Sequence, residues 1–186
     1  YNNNANIMRC GSMLKRQILL VFLSAILMLA CKKDKDSDSD GDEYYIKFKL
    51  DGTELQFKGM PYATFSVADD IYLGGFGASK EQGVTENMMS VLVGSLESIR
   101  AGVTYTGLIY PPVTGGSTPA VFFTYIDAEG VTFANLYEDN AMNMVTITSL
   151  DSKEVKGIFS GVLHKVVDPS SASIPISGDF FVKRMN

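Results

Sequence analysis

From residue 44 onward, apolar positions recur at every second residue, in runs of five to nine between clusters of Gly, Asp, Asn, Pro and Ser. That period belongs to strands with one buried face. Ile46, Phe48 and Leu50 share one side and Lys47 and Lys49 the other. Asp51-Gly52 then reverses the chain, and Leu55 and Phe57 return with Glu54, Gln56 and Lys58 outward. This is a hairpin, because Gly accepts the positive φ that tight two-residue turns demand. Further strands are predicted over 62–68, 71–76, 88–95, 103–110, 121–127, 131–137, 144–150, 155–165 and 174–183. A helical turn fits only near 81–89 and 98–102.

The pattern describes one all-β domain over 44–186, an antiparallel β-sandwich or flattened β-barrel of about 9–11 strands. Both architectures use the same alternation. Two long loops, 78–87 and 111–120, suggest strands crossing between sheets, which favours the sandwich. Phe48, Phe57, Phe65, Phe123, Phe133, Phe159 and Phe180 are enough large rings to fill its core. In strand 155–165, Gly157 and Gly161 flank Phe159 on one face, leaving room for a ring from a neighbouring strand. Ile174, Ile176, Gly178, Phe180 and Val182 repeat the device. Gly74-Gly75-Phe76-Gly77 reads as a bulge or a tight strand exit.

Before the domain the pattern changes. Met13-Leu14-Lys15-Arg16 and the charge-free, mainly apolar run 18–30 read as a signal peptide over 13–30. As a helix the run would reach roughly 20 Å at about 1.5 Å per residue, short of a hydrocarbon core of about 30 Å. Residues 1–12 precede a plausible initiator Met and read as an upstream, non-native extension. Leu27-Met28-Leu29-Ala30-Cys31 resembles the lipobox of bacterial lipoproteins, although Met28 stands where Leu is usual and Leu29 is bulkier than typical. The resemblance makes Cys31 the first mature residue and the site of lipid attachment; without it, the segment is an ordinary cleaved signal with a free thiol.

Residues 32–43 contain no hydrophobic side chain and cannot fold alone, so residues 31–43 read as a lipidated Cys and an acidic, flexible tether. Their mixed Lys and Asp following Cys31 is similar to the surface-export signal of Bacteroidota lipoproteins. Asp36, Asp38, Asp40 and Gly41 match the first half of a calcium loop. Its twelfth position, which needs a bidentate Glu, is Lys47, in a strand pattern. Tether is the stronger reading. The succession of Val145-Thr146-Ile147-Thr148, Gly157-Ile158-Phe159-Ser160-Gly161-Val162-Leu163 and Ser177-Gly178-Asp179-Phe180, with the early Leu50-Asp51-Gly52-Thr53 hairpin, resembles small Bacteroidota lipoproteins of uncharacterised function. That implies fold and compartment, and no active-site residue.

With 16 Lys plus Arg against 21 Asp plus Glu, the net charge is −5, which argues against nucleic acid as a partner. A chain beginning at Cys31 would carry −8, so acyl chains and not the protein surface would hold it on an anionic membrane. Such a chain has one His, His164, on the face opposite Phe159, and a lone His builds no His-rich metal site. Asp69-Asp70 and Glu138-Asp139 are adjacent carboxylates, which point to opposite faces of a strand and mark turns more readily than a glycosidase pair. No motif calls for a cofactor, and no catalytic constellation is recognisable.

The tyrosines Tyr44, Tyr45, Tyr62, Tyr72, Tyr105, Tyr110, Tyr125 and Tyr137 are the best candidates for recognition. Tyr110, at the entrance of a Pro-rich loop, and Tyr72 are the candidate binding residues. The sequence therefore points to an outer-membrane lipoprotein, periplasmic or surface-facing, acting as a non-catalytic binding or accessory module for a protein or glycan. The alternative is a lipocalin-like carrier holding a small apolar ligand in a barrel cavity. A hydrolase with carboxylates assembled from loops ranks third.

Overall fold

A computed structural model describes residues 44–68, 70–82, 86–107, 120–135, 142–168, 170 and 172–185. The chain separates into two units, and all the described residues belong to Asp42–Asn186. They form eleven strands: β1 (Tyr45–Leu50), β2 (Thr53–Phe57), β3 (Gly59–Ala68), β4 (Ile71–Ser79), β5 (Met88–Ser95), β6 (Val103–Thr106), β7 (Ala120–Ile126), β8 (Thr132–Ala134), β9 (Met144–Leu150), β10 (Glu154–Lys165) and β11 (Ile174–Arg184). No helix occurs among the described residues, and 98–102 is irregular, ending in a turn at 101–102. The predicted extensions to 110 and 137 lie partly outside the described residues.

Turn chemistry sets the local register. Asp51 and Gly52 both take positive φ, 48° and 79°, and bring Leu50 opposite Thr53 and Phe48 opposite Leu55. Asp127 Oδ1 accepts the amides of Glu129 (3.0 Å) and Val131 (2.8 Å), and Gly130 closes that turn at φ 77°. Asp70, at φ 64°, is in the β3–β4 turn.

The strand order is β2-β1-β11-β3-β4-β5-β7-β8-β10-β9-β6, and an additional β10–β11 pairing closes a ring of seven strands. Two narrow seams complete that ring. One is the parallel pair Lys183↔Tyr62 and Arg184↔Ala63; the other is His164↔Ala134 and Lys165↔Phe133. The result is a flattened barrel, or a sandwich joined at two corners. Aromatic pairs bridge its two inner faces: Phe76 stacks on Phe180 at 4.7 Å, Phe123 meets Phe159 at 5.6 Å, and Tyr125 meets Phe48 at 5.7 Å.

The expected rings are in the core. Phe48, Phe57, Phe123, Phe159 and Phe180 are buried, and Phe65 and Phe133 pack half-buried against them. The Gly74–Gly77 run departs from expectation. It lies inside a regularly paired strand, with Gly74 opposite Phe65 and Val93 and Gly77 opposite Tyr62 and Ser90. The glycines are there for neighbouring rings: a Cβ on Gly77 would meet the Tyr62 ring at 2.6 Å, and one on Gly74 would meet Phe65 at 3.2 Å. The bulge falls in the partner strand, where the β3 register shifts between Gly59 and Tyr62 and Met60 takes φ 48°.

Candidate functional site

At one end of the barrel the inner-face stripe runs out past the point where the two faces close. Gly74, Phe76 and Ala78 face the core, and two residues before Gly74 the same face carries Tyr72. Val67 and Ser95 stand opposite it on the neighbouring strands. Phe65, one step deeper, leans over Gly74 because no side chain there competes for the space.

The segment 96–102 folds over this end and inserts Ile99, whose Cδ1 would be 2.8 Å from a Cβ on Gly74. It is pinned at three points. Ser95 Oγ accepts the Glu97 amide at 3.1 Å, Tyr105 Oη accepts the Arg100 amide at 2.9 Å, and the Gly102 amide donates to Ile147 O at 2.7 Å. On the other side Arg184 continues the β11 inner stripe. Its guanidinium lies 4.9 Å from the Phe65 centroid and donates to Asp151 O at 3.0 Å.

These elements enclose an open recess of about 140 Å³ lined by Phe65, Ser66, Val67, Tyr72, Leu73 and Ile99. Large apolar side chains remain in solvent at the same end: Val67 is 61% exposed, Tyr72 37%, and Leu96, next to the Ser95 that stands opposite Tyr72, 46%. Single exposed apolar residues need no explanation, whereas several grouped at one apolar recess are a feature that interaction surfaces share. A void of about 150 Å³ accepts a benzene-sized group, so the recess fits one large apolar side chain. Ser66 is its one hydroxylic side chain besides Tyr72, which is poor provision for a sugar.

Of the two candidate binding tyrosines, the structure puts Tyr72 at this recess, and Tyr110 lies outside the described residues. The other described tyrosines have packing roles. Tyr44 and Tyr45 lie against Phe181 at 4.8 and 6.4 Å. Tyr62 crosses Gly77, and burial raises its pKa. Tyr105 is buried. Tyr125 packs among Phe48, Phe57 and Phe133, and its pKa is raised by burial first and then by the charges of Asp127 and Glu129. Tyr137 is outside the described residues, as are Cys31 and the candidate calcium ligands Asp36, Asp38 and Asp40.

His164 takes the outer face of β10, opposite Ala134 at the seam. Among the described residues no three His, Cys, Asp or Glu side chains converge on a point that could hold a metal. Val67, Leu96 and Ile99 were not singled out by sequence reasoning. The available signal was weak: an uninterrupted apolar pattern running into the hairpin that Asp70 turns. No protein-family model matches this sequence, and no curated protein is significantly similar to it.

Proposed function

We propose that this protein is a non-catalytic binding module, held at the outer membrane by lipid on Cys31, that recognises a protein partner through the recess at Tyr72. The observation that carries the reading is the apolar recess itself, with Val67, Tyr72 and Leu96 exposed around it and the barrel interior beneath occupied by side chains. An interior filled by Phe76, Phe123, Phe159 and Phe180 supports surface recognition over carriage of a ligand inside. The apolar lining supports a hydrophobic side chain over a glycan, which needs arrayed donors and acceptors.

N-acetyl-phenylalaninamide serves as the probe. Titration should move the amide resonances of Val67, Tyr72 and Ile99, and Val67→Asp should abolish the response. Perturbation centred on Phe123 and Phe159 instead would favour the interior carrier. The anchor is tested separately: wild type should incorporate labelled palmitate and fractionate with membranes, and Cys31→Ala should lose both properties. Membrane retention of Cys31→Ala together with an unlabelled wild type would refute lipidation.

A further inference from the structure

We propose that β2 is a self-pairing edge through which two copies of this chain associate, with Gln56 of each copy at the centre of an antiparallel seam. β2 stands at one end of the strand order, with β1 as its neighbour among the described strands. The opposite terminal strand, β6, is closed at its far end, where Gly107 O accepts the Val121 amide at 2.6 Å. In the β1–β2 hairpin the two-residue turn makes Leu50–Thr53, Phe48–Leu55 and Ile46–Phe57 the hydrogen-bonded pairs. The N–H and C=O groups of Glu54 and Gln56 therefore point away from β1. Thr53, Glu54 and Gln56 are exposed, and Leu55 is half-buried at the rim of the core.

An edge of this kind is a template for another strand, and natural edges are usually guarded by charge. Here the charges are ordered so that they oppose a foreign strand but suit a copy of the same one. Antiparallel pairing that keeps the outward backbone groups in register can centre on Leu55 or on Gln56. Centred on Leu55, Glu54 faces an uncharged Gln56. Centred on Gln56, Glu54 of each copy faces Lys58 of the second copy, once on each side of the two-fold axis.

That register gives Glu54 a second cation beside Lys47, whose Nζ is already 3.0 Å from it. On the inner face it sets Leu55 opposite Phe57 of the second copy, covering the apolar side chain that the isolated edge leaves half in solvent. The association is isologous and closes at two copies. It uses neither the Tyr72 recess nor the lipid anchor, so it stands or falls apart from the proposed function.

Sedimentation velocity on the purified full chain, over about 5 to 200 µM, should show the mass rising from one chain to two. Glu54→Lys and Lys58→Glu should each weaken association about tenfold or more, because like charges then face each other. The double variant carrying both changes should return to within about threefold of wild type, as a swapped pair must. Gln56→Pro should abolish the dimer while the β-sheet circular dichroism spectrum is retained, since this amide is not bonded to β1. A chain that stays monomeric over the whole range would overturn the proposal. So would a dimer indifferent to the single charge reversals, or one not restored by the double swap.

Discussion

Phe180 lies in the space that a side chain on Gly157 would need: the two residues face each other across β10 and β11, and a Cβ on Gly157 would come within 2.8 Å of the Phe180 Cε1. The missing Cβ lets the ring tip across its own sheet and stack on Phe76 of the opposite face. Packing between the two faces thus depends on a side chain that is absent.

Gly157→Ala should destabilise the fold by about 3 kcal/mol, at the upper end of overpacking costs, because the Thr146 carbonyl oxygen, 2.7 Å from the same Cβ, cannot move as a ring can. Urea unfolding is the measurement. Combining Gly157→Ala with Phe180→Leu should cost less than the two single changes added, because each relieves the other's crowding. Simple additivity would show that the ring and the glycine are not coupled.

Asn135 completes the β7 ladder where β8 ends. Its Oδ1 accepts the Phe123 amide at 2.7 Å and its Nδ2 donates to Val121 O at 3.0 Å, both in the buried interior. Asn135→Ala leaves a buried donor and a buried acceptor without partners and should cost about 2–4 kcal/mol. Hydrogen exchange at the Phe123 amide should accelerate by more than about tenfold. An unchanged exchange rate would show that another group takes the place of the amide.

Asp151 turns β9 into β10 by accepting the amides of Lys153 at 2.7 Å and Glu154 at 2.9 Å. Those two bonds, in that order, hold its pKa below the ordinary 3.8, with weaker help from the charges of Lys153 and Lys156. A depressed folded pKa means that the stabilisation is fully present above the ordinary carboxyl pKa and is lost as pH falls through the folded value. The urea midpoint of wild type should therefore exceed that of Asp151→Asn at pH about 6, and the two should converge by pH about 2. Parallel pH curves would refute the linkage.

Val67→Asp and Leu96→Asp should leave folding stability within about 0.5 kcal/mol of wild type, because Val67 stands largely in solvent and Leu96 about half so, both beyond the closed core. Both should still suppress the response to N-acetyl-phenylalaninamide. A large loss of stability, read by thermal unfolding, would reassign the recess from recognition to packing.

The strands were legible because a half-buried strand writes its exposure into a period of two, and Ile46, Phe48, Val155, Phe159 and Ile176 are buried on the faces that alternation assigns them. The turns at Asp51-Gly52 and Asp127–Gly130 were legible because their backbone conformations demand particular residues. The meaning of Gly74 and Gly77 was not, since a glycine looks the same whether it frees a bulge or makes room for Phe65 or Tyr62. Neither was the closure of the ring, in which Arg184 meets Ala63 far along the chain, or the role of Asn135 as a substitute strand. The recess at Tyr72 was half visible: the sequence marked the tyrosine. Only the tertiary structure brings Ile99 and Arg184 from distant segments onto Phe65 beside it, because side-chain period is a local property and a surface is made wherever separate strands happen to end together.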